Sequence, residues 1–428
     1  DQEKYDVKLG IREWKRYPEY KDSGVEWIGE IPEHWEIKRL KRIIADKLKY
    51  GANESAELED QELPRYIRIT DFGENGRLKE DTFKSLPIEL AKDYLLNQGD
   101  ILFARSGATV GKTFQFKNYS GKACFAGYLI KASPDEKKII SDFLYLYTKS
   151  SFYEQWKNST FIQATIQNIG ADKYQSLELT VPPLPEQQAI STFLDRETSK
   201  IDTLIEKKQR LIELLEEKRS ALISYAVTKG LDTHVKMKDS KVEWIGEIPS
   251  QWDVSKLGAK CSIKARIGWK GLKASEYVEE GYIFLSTPNI KNRDIDFNNI
   301  NFISEERYLE SPEIMLEVGD VLIAKDGSTL GITNVVRYLP DKATVNSSIA
   351  VIRPFKDCDS IYLNYFLQSS YTQNVIQRMK GGMGVPHLFQ ADLRNFTILC
   401  PPLSEQQLIV NFLDRETEKI DTFINKIS

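Results

Sequence analysis

KDSGVEWIGEIPEHWEIKRL, residues 21–40, returns as KDSKVEWIGEIPSQWDVSKL at residues 238–257, a displacement of 217 positions. Three further segments repeat in the same order at nearly the same distance. GDILFARSGATVG from Gly99 returns as GDVLIAKDGSTLG from Gly319, PPLPEQQ from Pro182 as PPLSEQQ from Pro401, and FLDRET from Phe193 as FLDRET from Phe412. Solenoid repeats run about 20–50 residues, so order and spacing kept over this much longer period mark duplication of a whole domain. Between the matching blocks the halves diverge almost completely. A shared frame around unlike interiors points to two similar domains with two different targets.

The 428 residues exceed a usual single core, so two globular domains with connecting elements are expected. Hydrophobic residues make up 41% and charged residues 29%, and no run of about 18 apolar residues is present that could span a bilayer. The N-terminal DQEKYDVKLG has no apolar stretch like that of a secretory signal, so a cytoplasmic location and no membrane contact are expected. Net charge is −4 with a pI near 5.8, which excludes a uniformly basic nucleic-acid coat and leaves room for a local basic face. Cys124, Cys261, Cys358 and Cys400 stand far apart, without the short paired spacings of zinc or redox motifs, and read as buried small hydrophobes. His34, His234 and His387 are equally scattered, so no metal site is expected.

Residues 66–181 carry short strand-like runs, YIRIT, DILFA, TFQF and CFAGYLI, separated by Gly, Asn and Asp turns. SDFLYLYTKSSFYEQWKN, residues 141–158, places Phe143, Leu144, Tyr147, Phe152 and Trp156 on one helical face. In the second half DVLIAK and SSIAVIRPF read as strands and residues 360–379 as the matching helix. Each half is therefore a mixed α+β domain. Trp27, Trp35, Trp244 and Trp252 are common to both halves and are assigned to framework packing.

From Glu186 to about Lys229 there is neither Gly nor Pro, and Ile190, Leu194, Ile201, Leu204, Ile205, Leu211, Ile212, Leu215, Leu222 and Ile223 recur at threes, fours and sevens. That is one long helix, ended by Gly230. At 1.5 Å per residue, some 40 residues make a rod of roughly 60 Å, which needs a partner helix. The second copy, beginning at Glu405 and carrying Leu408, Ile409, Phe412, Leu413, Ile420 and Phe423, supplies one, packed antiparallel as a coiled coil.

WIGEIPxxW opening each half, PPLxEQQ closing it, and FLDRETxKID running into a charged helix together resemble the specificity subunit of type I restriction-modification enzymes over nearly the whole chain. The resemblance implies two mixed α/β target recognition domains, residues 21–181 and 238–400. It also implies a central conserved helical spacer at 182–237, a distal conserved helical region at 401–428 and an N-terminal segment at 1–20. It implies a non-catalytic chain that reads a bipartite, asymmetric site on double-stranded DNA, one half-site per domain. Two methyltransferase subunits and the restriction/translocase subunits would dock on it, and S-adenosylmethionine, ATP and magnesium would be bound by those partners, with no cofactor in this chain.

Candidate DNA contacts follow from residue types. Arg105, Ser106, Thr109 and Lys112, echoed by Lys325, Ser328 and Thr329, sit in glycine-containing loops after a strand. There a close backbone, hydroxyls for phosphate and Arg for guanine suit DNA, whereas the plain alternative is a tight hairpin with incidental charges. Gln163, Thr165, Gln167 and Asn168, matched in position by His387, form a second polar run just before the closing block. Gln and Asn pair with adenine edges, though an ordinary loop would look the same. Arg68 and Thr70 parallel Ser286, Thr287 and Asn289, a third stretch where position is kept and side chain is not. Arg266, Trp269 and Lys270 add a basic loop with an aromatic, suited to phosphate contact.

Enzyme readings fail on detail. Residues 107–113, GATVGKT, look like a P-loop but have three residues between the glycines where four are required, and the second copy replaces Lys-Thr with Ile332-Thr333. Asp195, Glu197, Asp414 and Glu416 lie beside basic residues on charged helices and read as ion-pair partners on a docking surface. The main rival from another class is a two-lobed scaffold whose variable domains bind proteins.

Overall fold

The structure is a computed structural model, describing residues 16–427 apart from 56, 74–75, 108, 162–167, 267–271, 292 and 380–386. The chain divides into two compact units, Asp1–Asp202 and Thr203–Ser428.

Each unit is mixed α/β around a four-stranded antiparallel sheet. In the first unit the strands run in the order Lys49–Tyr50, Leu129–Ala132, Ile101–Ala104, Thr113–Gln115. In the second the order is Cys261–Lys264, Ile349–Pro354, Val321–Ala324, Thr333–Val335. Register is conserved with the topology. Ile101 faces Ala132 and Ala104 faces Leu129, as Val321 faces Ile352 and Ala324 faces Ile349. The inner strands are apolar on both faces because each side of the sheet is covered by a hydrophobic cluster, Phe103 and Ile130 on one side and Leu102 and Leu129 on the other. A parallel pair, Arg65–Ile67 with Ala123–Phe125, flanks the first sheet. Its counterpart, Tyr282–Leu285 with Ala343–Val345, carries an extra antiparallel strand, Asn301–Ile303.

The repeated blocks turn out to be hydrogen-bonded partners. The strand after the second Trp of each opening block, Glu36–Arg39, pairs antiparallel with Glu178–Val181, just ahead of the Pro-Pro pair. Asp253–Lys256 pairs likewise with Thr397–Cys400. The first glutamine of each PPLxEQQ explains that motif. Gln187 is buried, its Oε1 accepts the Ile140 N–H at 2.8 Å, and its Nε2 donates to the carbonyls of Pro182 and Lys138 at 2.7 and 3.2 Å. Gln406 repeats the arrangement with the Asp359 N–H at 2.7 Å and the carbonyls of Pro401 and Asp357 at 2.9 and 3.1 Å. A buried carboxamide that satisfies three main-chain groups leaves little freedom to the residue type.

The long helix spans Leu184–Lys229 and ends at Gly230 with φ +76°. Within the second unit its later part packs antiparallel against the distal helix Leu403–Ile427. Lys208 Nζ donates to the Ile427 carbonyl at 2.8 Å, Arg219 meets Asp421 at 3.5 Å, and Ile223, Ala226 and Val227 share a cluster with Ile409, Val410 and Leu413. Glu197 and Glu416 are bound by their neighbours Arg196 and Lys200, and Arg415 and Lys419.

Some expectations need correction. The helices read over 141–158 and 360–379 are each two, Ser141–Tyr147 and Ser151–Phe161, then Ser360–Gln368 and Ser370–Met379. At each break a serine hydroxyl, Ser150 or Ser369, donates back to the carbonyl three residues earlier, competing with the helical ladder. CFAGYLI is two strands separated by residues 126–128. Trp244 is 54% exposed, whereas Trp252 is fully buried and Trp27 and Trp35 pack against core. Tyr153 and Trp156 fill the core against which Trp27 rests. Thr372 and Val375 stand at the matching positions of the second unit, where a cavity of about 620 Å³ lies between them and Trp244. The cysteines are less scattered than their spacing implies. Cys261, Cys358 and Cys400 join one cluster in the second unit, Cys358 and Cys400 only half-buried, and burial pushes the Cys400 thiol up to about 11.

Candidate nucleic-acid interface

In each unit the main chain lines up four short segments edge to edge at one end of the four-stranded sheet. In the first unit the Arg105 N–H donates to the Tyr128 carbonyl at 3.0 Å, the Ile169 N–H donates to the Arg105 carbonyl at 2.8 Å, and Ser106 bridges Asn168. On the far side the Ala126 N–H donates to the Ile67 carbonyl at 2.9 Å, bringing in the Arg68–Asp71 stretch. The second unit repeats every bond. Lys325 N–H reaches the Ser348 carbonyl at 2.8 Å, Leu388 N–H the Lys325 carbonyl at 2.7 Å, Asn346 N–H the Leu285 carbonyl at 2.9 Å, and Asp326 bridges His387.

The middle of each row is a hairpin loop. Gly107 and Gly327 have φ of +79° and +69°, and Gly111 and Gly331 of +81° and +88°, so these positions require glycine for the turn. The Gly111 and Gly331 N–H groups close the loops onto Ala104 and Ala324, both at 2.8 Å. GATVGKT thus joins two antiparallel strands, without the strand-to-helix context that a phosphate-cradling P-loop needs.

On this common frame the side chains differ. In the first unit the Arg105 guanidinium carbon lies 4.9 Å from the Tyr50 ring centre, within cation–π reach, and the residue is half-buried. Ser106 is half-buried, Thr109, Lys112 and Asn168 are exposed, and Tyr128 is 64% exposed at the turn beside Arg105. In the second unit Lys325 takes the place of Arg105, its amine held below the usual lysine range by burial. His387 lies 3.9 Å from Asp326 and its imidazole is held below its ordinary value, first by burial and then by Lys325, which favours the neutral ring. Ser328 is exposed, Thr329 is half-buried, and Phe389 is 62% exposed with its ring 4.6 Å from that of His387.

The third stretch is tied into its own loop. Arg68 N–H and Nε donate to Asp71 at 2.7 and 3.1 Å, and a further guanidinium nitrogen donates to the Thr82 carbonyl at 2.5 Å, while Thr70 is exposed. Asn289 is buried, accepting from the Ser286 N–H and hydroxyl at 2.9 and 2.8 Å and donating to the carbonyls of Asp296 and Asn299. Its carboxamide is spent on the loop. Ser286 and Thr287 are half-buried beside it. Arg266 is buried, and burial with the nearby Arg307 lowers its pKa. Gln163, Thr165, Gln167, Trp269 and Lys270 lie outside the described residues.

Sequence reasoning missed the 126–128 and 346–348 turns, and with them Tyr128, as well as Tyr50 and Phe389. A glycine inside an apolar strand pattern, Gly127 in CFAGYLI, was the available signal for the first turn. Among the described residues no group of three His, Cys, Asp or Glu side chains could hold a metal ion, and no helix is long and apolar enough to cross a membrane.

A two-copy frame with divergent side chains agrees with comparison to known proteins. Residues 32–214 and 249–428 each match the type I restriction modification DNA specificity domain. The chain belongs to that family. Among specificity subunits, that of the type I restriction enzyme MjaVIII of Methanocaldococcus jannaschii is 26% identical over 389 residues, covering 90% of this chain and 86% of the relative. The EcoKI specificity subunit of Escherichia coli K12 is 24% identical over 412 residues, covering 94% and 86%. The fold is also that of solved members. A chain from a type I R-M system studied for complex assembly and conformational transition has a TM-score of 0.70 at 16% identity, covering 92% of this chain and 93% of its own. The HsdS subunit from Thermoanaerobacter tengcongensis has a TM-score of 0.54 at 17% identity, covering 93% and 91%.

Proposed function

We propose that this chain is the non-catalytic DNA-reading subunit of a type I restriction-modification enzyme, each unit reading one half of a split, asymmetric site on double-stranded DNA. The observation that carries the reading is the row of four segments. Its main-chain hydrogen bonds are the same in both units, while Arg105, Ser106, Tyr128 and Asn168 give way to Lys325, Asp326, Ser348 and His387. Phosphate contacts position a protein and base edges specify, so one frame with two side-chain sets suits two half-sites. Arg105, beside the Tyr50 ring, offers a bidentate fork to guanine, and exposed Thr109 and Lys112 offer phosphate partners.

On this reading the two amphipathic helices dock methyltransferase subunits, and through them the restriction/translocase subunits. S-adenosylmethionine, ATP and magnesium belong to those partners, and the complex acts in the cytoplasm.

The test is co-expression with the companion methyltransferase subunit in a methylation-free host, followed by sequencing for modified adenines. A split motif with a fixed gap, lost when this chain is omitted, is the expected result. Methylation that is absent or independent of the chain would overturn the reading in favour of a protein-binding scaffold.

A further inference from the structure

Each row carries a well-exposed aromatic, and the two stand on opposite sides of the hairpin loop. In the first unit it is Tyr128, on the turn whose carbonyl holds the Arg105 N–H, and the matching residue of the second unit is Ser348. In the second unit it is Phe389, two residues after His387, and the matching residue of the first is Gly170. The match at the latter position is structural as well as sequential. Gly170 and Phe389 cap equivalent short helices, Ala171–Ser176 and Gln390–Asn395, with nearly the same backbone, φ −76° and ψ 169° against φ −78° and ψ 155°.

The surroundings of positions 170 and 389 also differ. A Cβ on Gly170 would lie 2.5 Å from Asp172 Oδ1 and 3.6 Å from the Tyr50 hydroxyl, and that hydroxyl accepts the Ala171 N–H at 2.9 Å. In the second unit the small, buried Ala265 follows the strand at the place Tyr50 takes in the first, and Gln390 Nε2 reaches its carbonyl at 3.4 Å. The nearest neighbour of a side chain at position 170 is thus the Asp172 carboxylate, with the Tyr50 hydroxyl in ordinary contact, and in this unit the aromatic is carried on the turn. Neither ring supports a core: one is 64% and the other 62% exposed, beside residues that differ between the units.

We propose that Tyr128 and Phe389 are specificity-determining residues, each pressing its ring on a thymine methyl in the major groove and so demanding an A·T pair at one position of its half-site. Because the rings flank the hairpin loop on opposite sides, the demanded positions lie on opposite sides of the base pairs facing Arg105 and Lys325. The inference rests on the DNA-reading function above.

The experiment uses the full chain co-expressed with its methyltransferase subunit, comparing wild type with Y128S, Y128F, F389G and F389Y by sequencing of modified adenines. In Y128S, modification of sites with G·C at one position of one half-site should rise about tenfold relative to the wild-type motif. F389G should do the same in the other half-site only. Y128F and F389Y keep a ring and should restore the discrimination lost in their partners. Unchanged motifs in Y128S and F389G, relaxation of both half-sites by one substitution, or equal losses in the serine or glycine variant and its ring-keeping partner would each overturn the proposal. No split motif from the wild type would instead overturn the DNA-reading function itself.

Discussion

Ile201 and Ile420 occupy the same place in the repeated FLDRETxKID helix, yet Ile201 is 57% exposed and Ile420 is 7% exposed. Leu194 and Leu413, and Thr198 and Thr417, differ in the same sense, half-buried or exposed in the first copy and buried in the second. The residues are identical and their helical propensities are equal. What differs is the neighbour, since the later part of the long helix runs antiparallel beside the distal helix in the second unit. Helical stability in proteins comes mainly from the face that is packed, so identical sequence carries unequal energetic weight.

That contrast is open to direct attack. Ile420→Ala should cost about 2–5 kcal/mol in denaturant unfolding of the second unit, as for a buried isoleucine, while Ile201→Ala stays within about 0.5 kcal/mol. Equal losses would break the comparison. The glutamines should behave oppositely, because their surroundings are the same in both copies. Gln187→Ala and Gln406→Ala should each cost about 1–3 kcal/mol, from the main-chain groups left without partners, and a large difference between them would show that the frames are less alike than their hydrogen bonds.

Across the candidate interface, Arg105→Ala should weaken DNA binding by about 1–3 kcal/mol and relax one base position. Lys325→Ala should cost less, weaken binding evenly across sequences, and reduce the salt slope by about 1. Reversal of that pattern in binding titrations at two salt concentrations would assign base reading to the lysine.

The smallest effect concerns acid. Burial alone would raise the Glu186 carboxyl, but hydrogen bonds from Tyr17 and His34 outweigh it and hold the group below its ordinary 4.5. A carboxyl depressed on folding stabilises fully above its ordinary value, and that stability is lost as pH falls from 4.5 through the lower folded value. Gln251 stands where His34 does and meets Glu405 at 3.4 Å, a neutral substitute. Glu186→Gln should therefore flatten the acid limb of first-unit unfolding, and an unchanged limb would remove the trio from the account.

How much of this could be read in the sequence divides along the same line. Repetition alone marked the frame, because duplicated blocks must serve duplicated contacts, and the buried Gln187 and Gln406 are such contacts. Two of the candidate stretches were legible as loops at matched positions, whereas Arg68 and Thr70 fell inside the strand-like run YIRIT, whose strand ends at Ile67 and gives way to a short helix, Ile69–Asp71. Their alignment into one row depends on strand order, which local sequence does not encode. Tyr128 was hidden inside an apolar run that reads as a single strand. Asn289 reads as a polar contact residue, yet short amides favour capping their own loop, and its buried carboxamide does that. Trp244 reads as core by its identity with Trp27, yet it is 54% exposed and stacks on Tyr371, more than a hundred residues away in sequence.

The pairing of Glu36–Arg39 with Glu178–Val181, and of Asp253–Lys256 with Thr397–Cys400, has a consequence for inheritance. Hydrogen-bonded neighbouring strands lie about 4.8 Å apart, so everything between those strands leaves and re-enters the frame at one narrow neck. A segment whose ends meet this way can be exchanged for another of different length and content, much as an inserted domain can. The stretches flanking the neck are also those most alike between the copies. A gene built this way can change the interior of either domain and leave the frame and the two helices untouched.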